Sequence, residues 1–210
     1  WLMNYKLRIQ CFKVTPYELG EQLFLDIEQI IPMKDSEEYI ISMADKTQED
    51  INSQEELKTR HYLRMEFWKI LLKDMNGQST LYQNVSPSKD HWLSTGSGTS
   101  GVPYNFVVSN YYARTEITIA RGSTEENKYI FDELLKLKES IEADFGEELE
   151  WERLDNKKSS RIKYELRGVN FYNKDDWQKM IIFMVDGMIR MEKAFKEPLR
   201  KVNQKLKTQD

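Results

Sequence analysis

The chain has 210 residues, 40% apolar and 12% aromatic, enough to build the core of one medium-sized domain, or of one domain and part of another. Charged residues make up 31%, yet the net charge is only -4, which excludes an acidic tail and a protein that wraps nucleic acid wholesale. The longest apolar run, residues 180–185, falls far short of the ~20 residues that a membrane-spanning helix needs.

The single cysteine, Cys11, excludes an internal disulfide and a multi-cysteine zinc site. Two histidines, His61 and His91, leave little for a histidine metal cage. A cytoplasmic protein with no membrane contact is the expectation. Trp1 opens the chain inside an apolar stretch, so the sequence reads as a piece of a longer protein, and the lack of a signal peptide says nothing about targeting.

In chain order, Leu7, Ile9 and Cys11 alternate with Arg8, Gln10 and Phe12, the period of a half-buried strand. Turn chemistry at residues 16–20 and a second strand over residues 23–31, stopped by Pro32, complete a hairpin. Two strands are marginal alone, so the hairpin is expected to belong to a larger domain. Residues 35–56 carry many acids against the single base Lys46, which suits a linker leading into a helix. The expected organisation is a domain remnant over 1–43, a linker over 44–53 and an α+β domain over 54–210.

Beyond the linker, Ser53 and Glu56 have capping-box spacing, and Leu63, Phe67, Ile70 and Leu71 form a stripe that ends at Asn76-Gly77. Ser123 and Glu126 repeat the box before a stripe of Ile130, Leu134, Leu137 and Ile141, closed by Phe145-Gly146. Asn173 and Asp176 precede a third stripe of Trp177, Met180, Met184, Met188, Met191 and Phe195. Between the helices, residues 104–108 and 115–121 flank a turn at Asn110, and residues 149–154 and 160–167 flank one at Asp155-Asn156. The order α-ββ-α-ββ-α predicts a four-stranded antiparallel sheet with helices packed on one face, plus the N-terminal β-hairpin remnant.

Gly96-Ser97-Gly98-Thr99-Ser100-Gly101 spells a dinucleotide fingerprint. That chemistry needs a helix to follow, where free N–H groups meet pyrophosphate. Here Val102-Pro103-Tyr104 follows, which is strand-like, so a loop is the better reading. Asp90-His91 beside several serines lacks a nucleophile elbow. The methionines of the third helix have core spacing, with a partner-helix groove as the less favoured use.

On the predicted strands, Ile162, Tyr164 and Leu166 point one way and Arg161, Lys163, Glu165 and Arg167 the other. Ile117 and Ile119 likewise leave Arg114, Glu116 and Thr118 outside. An open sheet face would then carry more bases than acids, with Lys157 and Lys158 at its rim. Cross-strand ion pairs and an anion-binding face are about equally good readings. If the helices cover the charged face, the second reading fails. The excess of bases over acids in residues 190–207 suits a helix C-terminus and could also hold DNA weakly.

Several motifs carry a resemblance: Ser86-Pro87-Ser88-Lys89-Asp90-His91-Trp92, Gly101-Val102-Pro103-Tyr104-Asn105-Phe106, Tyr112-Ala113-Arg114, Asn127-Lys128, Ile130-Phe131-Asp132, Trp151-Glu152-Arg153-Leu154-Asp155 and Ser160-Arg161-Ile162-Lys163-Tyr164-Glu165. In this order, over residues 55–200, they resemble the bacterial domain-of-unknown-function family 4268. The front segment, with Leu7-Arg8-Ile9-Gln10-Cys11 and Leu25-Asp26-Ile27-Glu28, resembles the end of a PD-(D/E)xK restriction-endonuclease-like domain. That resemblance implies a two-part protein with the nuclease-like domain first. Its catalytic Asp, Glu and Lys match nothing here, so no catalytic residue, metal site or cofactor is assigned to this chain, and Mg²⁺ is expected only for the missing nuclease domain.

The functional expectation is a nucleic-acid-associated accessory domain of a restriction-like or anti-phage nuclease. DNA would meet Arg114, Arg161, Lys163 and Arg167 on the open face and Lys157 and Lys158 at the rim, with Trp92 and Tyr104 stacking beside the glycine loop. Expected partners are DNA, held weakly, the nuclease-like domain of the same protein, and a second copy of the chain. The rival is a protein-interaction or dimerisation module that binds no nucleic acid. A stand-alone enzyme using Glu116, Lys163 and Glu165 is the third reading.

Overall fold

The computed structural model describes residues 11–19, 22–31 and 37–207. The chain divides into two units, Trp1–Lys58 and Thr59–Asp210.

In the first unit, β1 (Cys11–Leu19) and β2 (Gln22–Ile31) pair antiparallel. Pro16 sits inside β1 opposite Leu25, so the turn comes later than residues 16–20. A two-stranded ribbon tolerates this because each strand has an outer edge where a missing N–H costs nothing. The register puts Phe12, Val14 and Pro16 on one face with Ile27 and Leu25, and leaves Lys13, Thr15 and Asp26 on the other. Residues 1–10, with the expected strand start at Leu7, lie outside the described residues.

The helix α1 (Glu37–Asn76) contains residues 44–53, the expected linker, and the division between the units falls inside it, at Lys58 and Thr59. Residues 37–58 hold no Pro or Gly, and an acid-rich helix is as well solvated as an acid-rich coil. Ser53 is therefore an interior residue of the helix, not its cap.

The second unit is α+β, as expected, but its sheet has five strands instead of four: β3 (Trp92–Thr95), β4 (Tyr104–Val108), β5 (Tyr112–Ile119), β6 (Glu150–Glu152) and β7 (Ser160–Arg167). They lie antiparallel in the order β3-β4-β5-β7-β6. β3 escapes sequence reading because four residues, two of them hydroxylic, show no alternation worth counting. Three strands precede the middle helices and two follow them, so the unit is not a repeat of two halves.

The expected middle helix is two helices, α2 (Thr124–Leu135) and α3 (Lys138–Phe145). Ser123 caps α2, accepting from the Glu126 backbone N–H at 3.3 Å, while the Glu126 carboxylate turns to Arg121 instead of closing a capping box. Gly146 ends α3 with φ 93°, a left-handed conformation that glycine adopts without a Cβ clash. Asn173 caps a single 3₁₀ turn that leads into α4 (Trp177–Lys207).

Helices α2, α3, α4 and the end of α1 share one apolar core with alternate residues of the strands. Phe67, Trp68, Leu71 and Met75 of α1 are buried with Phe106, Ile117, Ile162, Leu134, Ile141 and Phe195. Met180, Met184, Met188 and Met191 are all buried in it, so they pack the core and line no partner groove. α4 comes close enough that a Cβ on Gly187 would stand 3.1 Å from a Tyr164 ring carbon and 3.2 Å from Thr115 Oγ1. Lys128 of α2 is buried as well, its Nζ 3.0 Å from the Leu154 carbonyl and 2.9 Å from that of Ser159. It ties down the β6–β7 turn, where Leu154 holds φ 55°.

The glycine-rich stretch joins β3 to β4 and is followed by a strand, so it offers no helix start to a phosphate. Gly101, with φ 71°, packs so tightly that a Cβ would lie 2.6 Å from Arg121 Cγ. Its glycine answers to packing.

Candidate functional site

The helices of the second unit cover the face of the sheet that carries Ile117, Ile162 and Tyr164, and the charged residues stand on the other face. Strand register arranges that second face in rows. Trp92, Val107, Arg114 and Glu165 form one row; Ser94, Asn105, Glu116, Lys163 and Glu150 form the next; Thr118, Arg161 and Glu152 form the third. Opposite charges therefore meet across strands.

β6 changes the balance. Its Glu150 and Glu152 offset the base excess of β5 and β7, so that Arg114, Arg161, Lys163 and Arg167 meet Glu116, Glu150, Glu152 and Glu165. Arg114 contacts Glu116 at 2.8 Å and Glu165 at 3.5 Å; Lys163 contacts Glu150, Glu152 and Glu165 at 3.1–3.3 Å. Arg161 spans Glu116 and Glu152. Burial pushes the Glu152 carboxyl up, but hydrogen bonds from Arg161 and Lys163 outweigh it and hold the group below the usual carboxylate range. Glu116, Lys163 and Glu165 are nearly buried by their neighbours, so they line a neutral lattice and no open pocket.

The expected binding residues do not form one surface. Arg114 and Lys163 are sequestered in the lattice, and Arg161 is mostly covered. Tyr104 is 2% exposed and faces the core beside Phe106, so its ring has no face to offer a base. Lys157 and Lys158 are exposed in the β6–β7 turn at one end of β7, and Arg167 is exposed at the other. Eight residues of strand separate the two ends by roughly 24 Å.

What gathers instead is a cluster at the Arg167 end. Trp92 opens β3 and is 44% exposed; Tyr111, in the β4–β5 turn, is 76% exposed; Tyr172, beyond β7, is also exposed. The turn is pinned by Ser109 N–H donating to Tyr112 O at 2.9 Å and by Phe171 N–H donating to Ser109 O at 3.1 Å. The Arg114 guanidinium lies 4.8 Å over the Tyr112 ring. Between these parts opens a cleft of about 250 Å³ lined by Arg64, His91, Ser109, Asn110, Tyr112 and Tyr172, among others. Arg64 reaches it from α1, with Nη1 donating to the Lys89 carbonyl at 3.0 Å. Burial lowers the His91 pKa, Arg64 and Arg114 lower it further, and Asp90 and Glu116 pull it back up.

Sequence reading had Trp92 and Arg167 from this cluster but not Arg64, Tyr111 or Tyr172. A Tyr-Tyr pair directly after Ser109-Asn110 was a usable signal, since a turn rarely needs two large rings. Arg64 carried none, because a helix gives every arginine the same local pattern. Among the described residues no cluster of His, Cys, Asp or Glu is arranged to hold a metal, and no helix is long and apolar enough to cross a membrane.

Residues 63–199 match the model of a protein family described as "Domain of unknown function (DUF4268)". The chain belongs to this family. The match begins inside α1 and ends inside α4, so the DUF4268 region takes in the whole five-stranded sheet, the cleft and the aromatic cluster. No curated protein and no solved structure showed a significant match to the chain.

Proposed function

We propose that the DUF4268 domain is a nucleic-acid-associated accessory domain that contacts its ligand through the Arg167 end of the sheet, not through the centre of the charged face. The observation that carries this reading is the concentration of exposed aromatic rings, Trp92, Tyr111 and Tyr172, beside the exposed cation Arg167 at one end of the sheet. Rings give sequence-tolerant base stacking, worth roughly 1–3 kcal/mol per base, and cations follow the phosphates. The resemblance of the front segment to the end of a nuclease-like domain supports placing the domain beside a restriction-like or anti-phage nuclease.

Fluorescence anisotropy with labelled single-stranded and duplex DNA tests it. Affinity should weaken steeply with salt, as phosphate contacts demand. The double variant Trp92→Ala and Arg167→Ala should lose about tenfold or more in affinity while remaining folded. An unchanged affinity in that variant overturns the assignment.

The hairpin favours a second reading, a protein-interaction module. Phe12, Val14, Leu25 and Ile27, all on one face of the ribbon, are 52–61% exposed. Contiguous exposed apolar surface on one side of a sheet marks a contact with another polypeptide. Sedimentation of the chain, alone and after Val14→Lys with Ile27→Lys, separates self-association through that face from a monomer.

A further inference from the structure

The cleft at the Arg167 end has features that base stacking does not require. Arg64 is partly buried, and among the described residues its guanidinium meets no carboxylate, only the neutral carbonyl of Lys89 at 3.0 Å. Its Nε is shut off from solvent with no hydrogen-bond partner. The contrast with Arg114, Arg161 and Lys163 is sharp, because each of those cations meets two or more carboxylates. A half-desolvated cation without a counter-charge is costly unless an anion visits it.

The surrounding side chains supply donors from separate elements: Arg64 from α1, His91 just before β3, Ser109 and Asn110 from the β4–β5 turn, and Tyr112 from β5. Ser109 already accepts the Tyr111 N–H at 3.3 Å through its hydroxyl oxygen, which leaves the hydroxyl hydrogen to donate. The volume, about 250 Å³, is below the ~300–1,000 Å³ range of pockets for drug-sized molecules and suits one small polar group.

We infer that this cleft binds a single phosphate group, with the Arg64 guanidinium as its counter-charge and His91, Ser109, Asn110 and Tyr112 as neutral donors around it. Donors arriving from several elements suit a tetrahedral oxyanion better than a planar carboxylate, and a guanidinium fork matches phosphate geometry. The phosphate has two possible sources, a nucleic-acid strand or a free small phosphate. The site does not depend on the nucleic-acid reading, which would stand or fall by the Trp92 and Arg167 variant.

The test is proton NMR of the whole chain, reading the His91 ring and the Trp92 indole, whose ring centroids lie 4.7 Å apart. Inorganic phosphate, acetate and chloride are titrated at matched ionic strength, then a 5′-phosphorylated dinucleotide and its unphosphorylated form. Phosphate should shift both signals saturably, acetate and chloride should not, and Arg64→Gln should weaken binding at least tenfold. Bound phosphate should also raise the His91 titration midpoint against the fields of Arg64, Asp90, Arg114 and Glu116 that set it.

Asn110→Ala, in an exposed turn, keeps the test valid should Arg64→Gln unfold the α1 contact, and it should weaken phosphate several-fold. Preference for the phosphorylated dinucleotide over inorganic phosphate assigns the strand as source; the reverse assigns a free small phosphate. Non-saturable shifts, equal binding of acetate, or indifference to both variants overturn the inference.

Discussion

The two faces of the five-stranded sheet are made from alternate residues of the same strands and are excluded from water by different means. On one face Ile117, Ile162 and Tyr164 meet α3 and α4, and the burial comes from other elements. On the other, Glu116 and Lys163 are 6% and 5% exposed, and long charged side chains contribute to covering one another. Apolar packing draws strength from the area removed from water. A buried ion-pair lattice gains little net stability but makes the loss of any one partner expensive.

Substitutions can separate those two kinds of burial. The largest effect should come from the helix-covered face: Phe106→Ala, fully buried against the Tyr82 ring, should cost ~4 kcal/mol in urea denaturation. Lys163→Ala should follow at about 2–3 kcal/mol, because it takes a buried cation from Glu152 and Glu165, which keep only Arg161 and the Arg114–Arg167 pair, and leaves the half-exposed Glu150 to water. A loss under ~0.5 kcal/mol there would mean that water reaches the lattice, and the comparison would fail. Gly187→Leu, forcing atoms between α4 and the Tyr164 ring, should cost about 2 kcal/mol.

Acid should probe the ion pairs selectively. Hydrogen bonds from Arg153 hold the Asp132 carboxyl low, those from Lys136 and Lys205 hold Glu133 low, and Glu152 is held low as described. Carboxyls depressed in the folded state contribute stability above their unfolded pKa of about 4, and lose it as pH falls through the lower folded values. The urea midpoint should therefore decline slightly as pH falls below about 6.5, where the lowered His91 costs stability, and drop more steeply below about pH 4, where the depressed carboxyls are protonated. The smallest stability effect belongs to the proposed contact surface. Trp92→Ala should change stability by less than ~0.5 kcal/mol while it weakens nucleic-acid binding.

Much of the fold was legible because helices and strands announce themselves by period. The stripe from Trp177 to Phe195 is buried almost residue for residue, and Ser123 and Gly146 cap the helices that their local chemistry suggests. The start of α1 was not legible, since an acid-rich segment without Pro or Gly has the composition of both a linker and a solvated helix. The even division into two halves failed at β3, whose four residues are held as a strand by pairing with β4 and not by their own pattern.

The site was legible only as an inventory. Alternation along β5 and β7 put Arg114, Arg161, Lys163 and Arg167 on one face, and the sequence alone sufficed for that, because side-chain direction in a strand is a local property. Whether those cations were available was decided in three dimensions, when the register of β6 set Glu150 and Glu152 against Arg161 and Lys163, and that of β5 with β7 set Glu165 against Arg114. The same holds for the cleft, whose residues come from Arg64 to Tyr172 and are neighbours only because α1, the β4–β5 turn and the segment after β7 converge. Local periodicity determines which way a side chain points. Only the packing of distant segments determines what it meets there.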